Sequence, residues 1–173
     1  MNRRSSMSFL PQGPTEEELN DIISAANSAP DHGGLRPWRI LILAEDRREY
    51  LYDKLLKLVD EEDDLKIKRL KSLCFKSPVL LVGIFSPNLD SRIPVDEQLI
   101  TSGLALYNSS LIANELGYGT FWSTGSAAVN KEYMYELELN DNEKIIGFLH
   151  IGVAKSKNNT ERQFNINEYS KFI

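Results

Sequence analysis

Apolar positions recur along this chain with two different periods, and the switches between them mark out helices and strands. Leu19, Ile22, Ile23 and Ala26 share one helical face behind Thr15-x-x-Glu18, a capping box whose hydroxyl and carboxylate satisfy backbone donors at a helix start. Pro30 stops this first helix, and Asp31-His32-Gly33-Gly34 predicts a loop. A strand is expected from Trp38 to Ala44. Its Ile40-Leu41-Ile42-Leu43 run offers apolar side chains to both faces, which places it inside a covered sheet.

Leu51, Leu55, Leu58 and Val59 predict a second helix from about Arg47 to Val59. Beyond it, Glu61-Glu62-Asp63-Asp64 precedes Lys66, Lys68, Arg69 and Lys71, a spacing of acids ahead of bases that describes a solvated helix face. Pro78 introduces a strand from Val79 to Phe85, and Ser86 to Pro94 reads as a loop. The longest predicted helix runs from Val95 to about Leu116. It carries Leu99, Ile100, Leu104, Leu106, Tyr107, Leu111, Ile112 and Leu116, with Ser102, Gly103, Ala105, Ser109, Ser110 and Ala113 between them. So broad an apolar surface requires burial on more than one side, either as a central helix or at a subunit interface. Gly117-Tyr118-Gly119 ends it, Thr120 to Ser123 predicts a short strand, Lys131 to Leu137 a short helix, and Ile145 to Val153 a strong strand. The polar stretch from Lys155 to Ile173 is expected to be extended. No repeat, low-complexity tract or linker interrupts the pattern, so one domain over residues 1–173 is expected.

Composition narrows the function. With 173 residues and 42% hydrophobic content the chain can bury a core. A net charge of -5 provides no global basic surface, so neither nucleic acid nor anionic lipid is an expected partner. Cys74 stands alone, which suits a reducing compartment and a cytoplasmic location. No apolar window approaches the ~18 residues of a membrane span, and no signal-peptide core follows the N-terminal charges. G-x-S-x-G, G-x-x-x-x-G-K-[ST] and a Rossmann G-x-G-x-x-G placed between strand and helix are all absent. His32 and His150 are the only histidines and neither has metal-ligand spacing, so no metal is expected. His150, inside an apolar strand, reads as a hydrogen-bonded core residue. What remains is chemistry carried by a bound organic cofactor.

Four blocks carry a family resemblance that spans nearly the whole chain. They are Arg3-Arg4-Ser5; Ala29-Pro30-Asp31-His32 with Pro37-Trp38; Gly117-Tyr118-Gly119-Thr120-Phe121-Trp122-Ser123-Thr124-Gly125; and Lys144 to Gly152 followed by Lys155 and Lys157. In this order they resemble the short single-domain members of the nitroreductase family. The resemblance implies an α+β nitroreductase-like fold, with a central mixed, mainly antiparallel sheet flanked by helices, dimerised through the Val95 to Leu116 helix. It implies FMN, with Arg3, Arg4 and Ser5 at its phosphate and ribityl end, Lys157 completing the phosphate site, and Trp122, Ser123 and Thr124 against the flavin. An arginine pair suits a phosphate dianion because forked, charge-assisted hydrogen bonds match its oxygens. Ser28 and His32 would reach a flavin held mainly by the partner subunit. Ile112, Ala113, Asn114, Glu115, Leu116 and Gly117 match the stretch linked in relatives to the nicotinamide nucleotide.

The implied activity is hydride transfer from NADH or NADPH through flavin to a nitroaromatic, quinone or similar small-molecule acceptor, with no general base assigned. Two departures from the family pattern stand out. Close relatives carry arginine where Ser123 stands, and they have a helical turn or two ahead of the arginine pair, which here lies almost at the start. Both leave open an alternative, a flavin-binding or storage protein with little turnover; a reaction such as dehalogenation or flavin degradation would call for an added lid segment.

Overall fold

In the computed structural model, which describes residues 3–156 and 164–173, the predicted capping box forms. Thr15 Oγ1 accepts from Glu18 N at 3.2 Å and Glu18 Oε2 accepts from Thr15 N at 2.8 Å, opening α1, Glu16–Ser24. A 3-10 turn, Ala25–Ser28, brings the chain into the histidine loop. The order continues with β1 (Trp38–Ala44), α2 (Asp46–Leu56), α3 (Asp64–Phe75), β2 (Val79–Phe85), α4 (Val95–Glu115), β3 (Gly119–Ser123), α5 (Lys131–Glu136), β4 (Lys144–Gly152) and α6 (Ile166–Tyr169). The acidic run contributes a cap: Asp63 Oδ1 accepts from Lys66 N at 3.0 Å, while Lys66, Lys68, Arg69 and Lys71 of α3 are exposed. No helix among the described residues is long and apolar enough to cross a membrane.

The strands form one sheet in the order β1-β2-β4-β3, each neighbouring pair antiparallel. A single parallel bridge, Ser5 to Thr120, lays the N-terminal segment beside β3. Alternation along β2 and β4 divides the core. Leu80, Val82, Ile84 and Phe148 pack with Leu51 and Leu55 of α2 and Leu70 and Cys74 of α3, whereas Val79, Leu81, Leu149 and Ile151 pack with Ile22 of α1 and Leu106 and Ala113 of α4. The sheet is therefore covered on both faces, which makes the fold α+β.

Three expectations change. β1 is not an inner strand: it occupies the edge of the sheet with Ile42 39% exposed, while all seven residues of β2 are buried. Apolar residues on both faces of a strand report what lies above and below it, and say nothing about the neighbour in the hydrogen-bonding direction. The second helix stops at Leu56, with Val59 buried from the following turn. The tail is not wholly extended, because Asn165 Oδ1 accepts from Asn167 N and starts the short α6.

Candidate functional site

The histidine loop is held by polar side chains of α4. Thr101 Oγ1 donates to Pro30 O at 2.9 Å and Ser102 Oγ donates to Pro37 O at 2.7 Å. Within the loop, Asp31 Oδ2 accepts from Arg36 N at 2.7 Å. Gly33 turns with φ +74°, a left-handed conformation that favours glycine, and a Cβ there would come within 2.5 Å of Ile93. His32, its side chain 68% exposed, places Nδ1 2.9 Å from Glu97 Oε2. A carboxylate only accepts, so Nδ1 carries the hydrogen. Ser28 Oγ donates to Ala25 O at 2.7 Å and accepts from Asn108 Nδ2 at 3.0 Å, which leaves a lone pair rather than its hydrogen for a ligand.

The second group of candidates gathers around β3. Ser6 N donates to Thr120 O at 2.9 Å, and Lys155 N donates to Ser8 O, so the segment beginning with the half-buried Arg3 and Arg4 is tied to the sheet. Arg4 Nη1 donates to Arg3 O at 3.1 Å. Thr120 Oγ1 lies 2.8 Å from Ser110 Oγ, joining β3 to the buried face of α4. Trp122 Nε1 donates to Ile146 O at 3.3 Å, and exposed Thr124 follows at the end of the strand. Ser123 points to the opposite face of the sheet from Trp122. Lys157 lies outside the described residues.

His150 behaves as the core residue its setting predicts, being 1% exposed. Ser77 Oγ donates to Val79 O at 2.6 Å, so it accepts from His150 Nδ1 at 3.2 Å, and Nε2 accepts from Ser123 Oγ at 3.4 Å. Burial first, and then the Lys76 ammonium, push the imidazole down to about 4. It stays neutral at physiological pH.

The six residues that the resemblance links to the nicotinamide nucleotide span the last turn of α4 and its C-terminal cap. Ile112, Glu115, Leu116 and Gly117 are exposed, whereas Ala113 is fully buried against the sheet side. Tyr118, just beyond them, donates its hydroxyl to Glu18 Oε2 at 2.8 Å and so ties the helix end to the α1 cap.

Helical geometry relates the two groups. Glu97, Thr101 and Asn108, which hold the loop, fall on one stripe of α4, and Ser110, which holds β3, lies about 200° around the axis from Asn108. Between these stripes runs an exposed apolar face carrying Ile100 (63% exposed), Leu104 and Tyr107. The loop group is bonded to Glu97, Thr101, Ser102 and Asn108 of α4, and the β3 group to Ser110 of α4 and to Ile146. Glu97 and Asn108 were not among the candidates. Their signal in the sequence is three polar positions, 97, 101 and 108, aligned on one stripe beside the apolar face of the helix.

Two other features lie apart from these candidates. Arg39 clasps Glu143 through Nε to Oε1 and Nη2 to Oε2, each 2.7 Å, and this pairing holds the almost fully buried carboxyl at about 2. A cleft of about 960 Å³ follows the outer edge of β1 and is lined by residues including Ile40, Ile42, Arg48, Tyr50 and Lys54.

The sequence profile described as "Nitroreductase family" matches residues 1–153. "Putative NAD(P)H nitroreductase YdjA" of Escherichia coli (strain K12) is 25% identical over 175 residues, spanning 100% of this chain and 94% of that protein. "Putative NAD(P)H nitroreductase" of Haemophilus influenzae (strain ATCC 51907 / DSM 11121 / KW20 / Rd) is 26% identical over 176 residues, spanning 99% and 94%. Among solved structures, a nitroreductase-like family protein from Bacillus cereus superposes with a TM-score of 0.85 at 26% identity, covering 99% of this chain and 91% of that one. A mutant of the FMN and NADPH-dependent nitroreductase NfnB from "sphigopyxis sp. strain HMH" shares the fold with a TM-score of 0.75 at 20% identity, over 98% and 94% of the two chains.

Proposed function

Since this chain belongs to the nitroreductase family, a family of oxidoreductases, we propose that two copies of it enclose FMN and carry hydride from NADH or NADPH to a nitroaromatic, quinone or similar acceptor. The observation that carries the reading is the placement of the two candidate groups on opposite flanks of the exposed apolar face of α4. An apolar stripe of this kind calls for a cover. When the same stripe of a second copy covers it about a two-fold axis running along α4, the loop flank of one copy lies opposite the β3 flank of the other. A single ligand can then span both groups.

The donor set fits FMN. Arg3 and Arg4 are half-buried residues on a backbone segment tied to the sheet edge, and a pair of guanidiniums suits a phosphate dianion. Trp122 supplies a flat indole with its N–H already bound to Ile146 O. Thr124, past the end of β3, lies at the surface beside it. His32, oriented by Glu97, would reach in from the second copy. When bound, FMN supplies a ring that takes up hydride and passes electrons on to the acceptor. The chain's own residues bind, orient and exclude water; acceleration then comes from proximity and from fixed dipoles. His150 moves no proton there, because it is buried and both ring nitrogens are engaged.

Purified protein loaded with FMN and mixed rapidly with NADH or NADPH should lose its flavin absorbance, and sedimentation should give a dimer. Failure of both donors to bleach the flavin rejects the enzyme. A second reading, a flavin-binding protein with little turnover, is favoured by Ser123, whose hydroxyl turns to His150 instead of presenting charge at the corner. It predicts stoichiometric FMN with negligible acceptor-dependent oxidation of reduced nicotinamide.

A further inference from the structure

We infer that Gly147, with the bulge at Ile146, is a positioning element for Trp122, and so sets the wall of the flavin site without touching the ligand. Gly83 of β2 pairs with Gly147 of β4, and the next pair is Ile84 with Ile145, so Ile146 is an extra residue with no partner on β2. A bulge of this type re-aims the local backbone. The Ile146 carbonyl is the group that accepts from Trp122 Nε1 at 3.3 Å. Trp122 itself pairs with Leu149, which makes Gly147 its diagonal neighbour on the same face, within reach of an aromatic side chain.

The indole occupies the space that a side chain at position 147 would need. A Cβ on Gly147 would run into Trp122 Nε1 and come within 2.6 Å of Cε2 and 2.7 Å of Cδ1. The clash is with the body of a ring already held at its N–H, so a small adjustment does not relieve it. Opposite, a Cβ on Gly83 would come within 2.5 Å of Leu106 Cδ2 and 3.2 Å of Ile146 Cγ1. The paired glycines therefore form a shallow trough in the sheet, with the indole seated at Gly147 and Leu106 of α4 at Gly83. The ring is located from two directions, by a hydrogen bond along its edge and by a bare backbone beneath it.

The inference rests on the proposed role of Trp122 beside FMN, and its tests separate the two claims. In apo wild-type protein the Trp122 indole N–H should exchange with D2O more slowly than an exposed indole, with Trp122→Phe used to assign its resonance. Immediate exchange overturns the inference whether or not FMN binds. Gly147→Ala should keep the far-ultraviolet signature, change the near-ultraviolet aromatic band, and weaken FMN binding by roughly 10-fold, as expected for a displaced aromatic contact. In a Trp122→Ala background the same substitution should weaken binding no further, because the ring it displaces is gone. An equal loss in both backgrounds, or an unchanged affinity in Gly147→Ala, overturns the inference. If Gly147→Ala does not fold, the exchange rate in the wild type decides the matter. A wild type that refuses FMN overturns the proposed function and leaves the indole exchange as the measure of the anchor.

Discussion

The two flanks of α4 are built by different means. On the loop side, the His32 and Ser28 side chains are oriented by exposed hydrogen bonds to Glu97 and Asn108, with Ser28 also donating to Ala25 O. On the β3 side, Arg3 to Ser6 and Trp122 are held by backbone bridges, a bulge carbonyl and the sheet itself. The first arrangement can be altered one residue at a time with little effect on folding. The second is bonded through the backbone to the sheet, so the geometry of Trp122 depends on strands that also carry the core.

The largest break in this contrast should come from Leu149→Ala. Leu149 is fully buried and pairs with Trp122, so its loss leaves a cavity directly beneath the corner. A destabilisation of about 4 kcal/mol is expected in urea unfolding, accompanied by weaker flavin binding. A loss below about 1 kcal/mol would show that the corner does not depend on the core.

Replacing Arg3 and Arg4 together by alanine should separate binding from folding on that same flank. Two charge-assisted partners of a phosphate are worth about 3 kcal/mol together, or roughly 100-fold in FMN affinity, a larger effect than on the unfolding midpoint. Isothermal titration with FMN and with riboflavin distinguishes the cause, because riboflavin lacks the phosphate and its affinity should not move.

Acid should expose the buried histidine of the β3 side. The folded state holds His150 neutral, with its pKa lowered from 6.5 to about 4, so between these values the unfolded chain binds more protons. Stability is then fully present above pH 6.5 and falls as pH drops toward 4. His150→Gln should flatten that part of the pH profile of the urea midpoint, whereas an unaltered profile would assign the slope to other groups. Glu143 acts lower, since its contribution is present above 4.5 and disappears as pH falls toward about 2.

The smallest effects belong to the loop flank. Asn108→Ala should weaken FMN binding by roughly 5-fold and Glu97→Gln by less, with stability changing by under about 1 kcal/mol, as expected for exposed polar contacts. A large stability loss from either would remove the distinction between the flanks.

Local order was open to reading in the residues themselves. Thr15 and Glu18 specify a helix start because both partners lie within one turn, and Val95 to Leu116 specifies a long helix because its apolar repeat is short-range. The candidate blocks were legible for the same reason: each is contiguous, and only their order along the chain was needed to state the resemblance.

Tertiary structure alone decided how those pieces meet. Arg39 and Glu143, 104 positions apart, pair because the start of β1 lies level with the turn before β4. Glu97 finds His32 across 65 residues, and the bulge at Ile146 exists only against its partner strand β2. Periodicity records which face of an element is dry, and a sequence repeat carries no mark of which strand lies alongside. The edge position of β1, the two flanks of α4 and the seat beneath Trp122 all depend on that lateral order, which arises when distant segments compete for the same backbone partners.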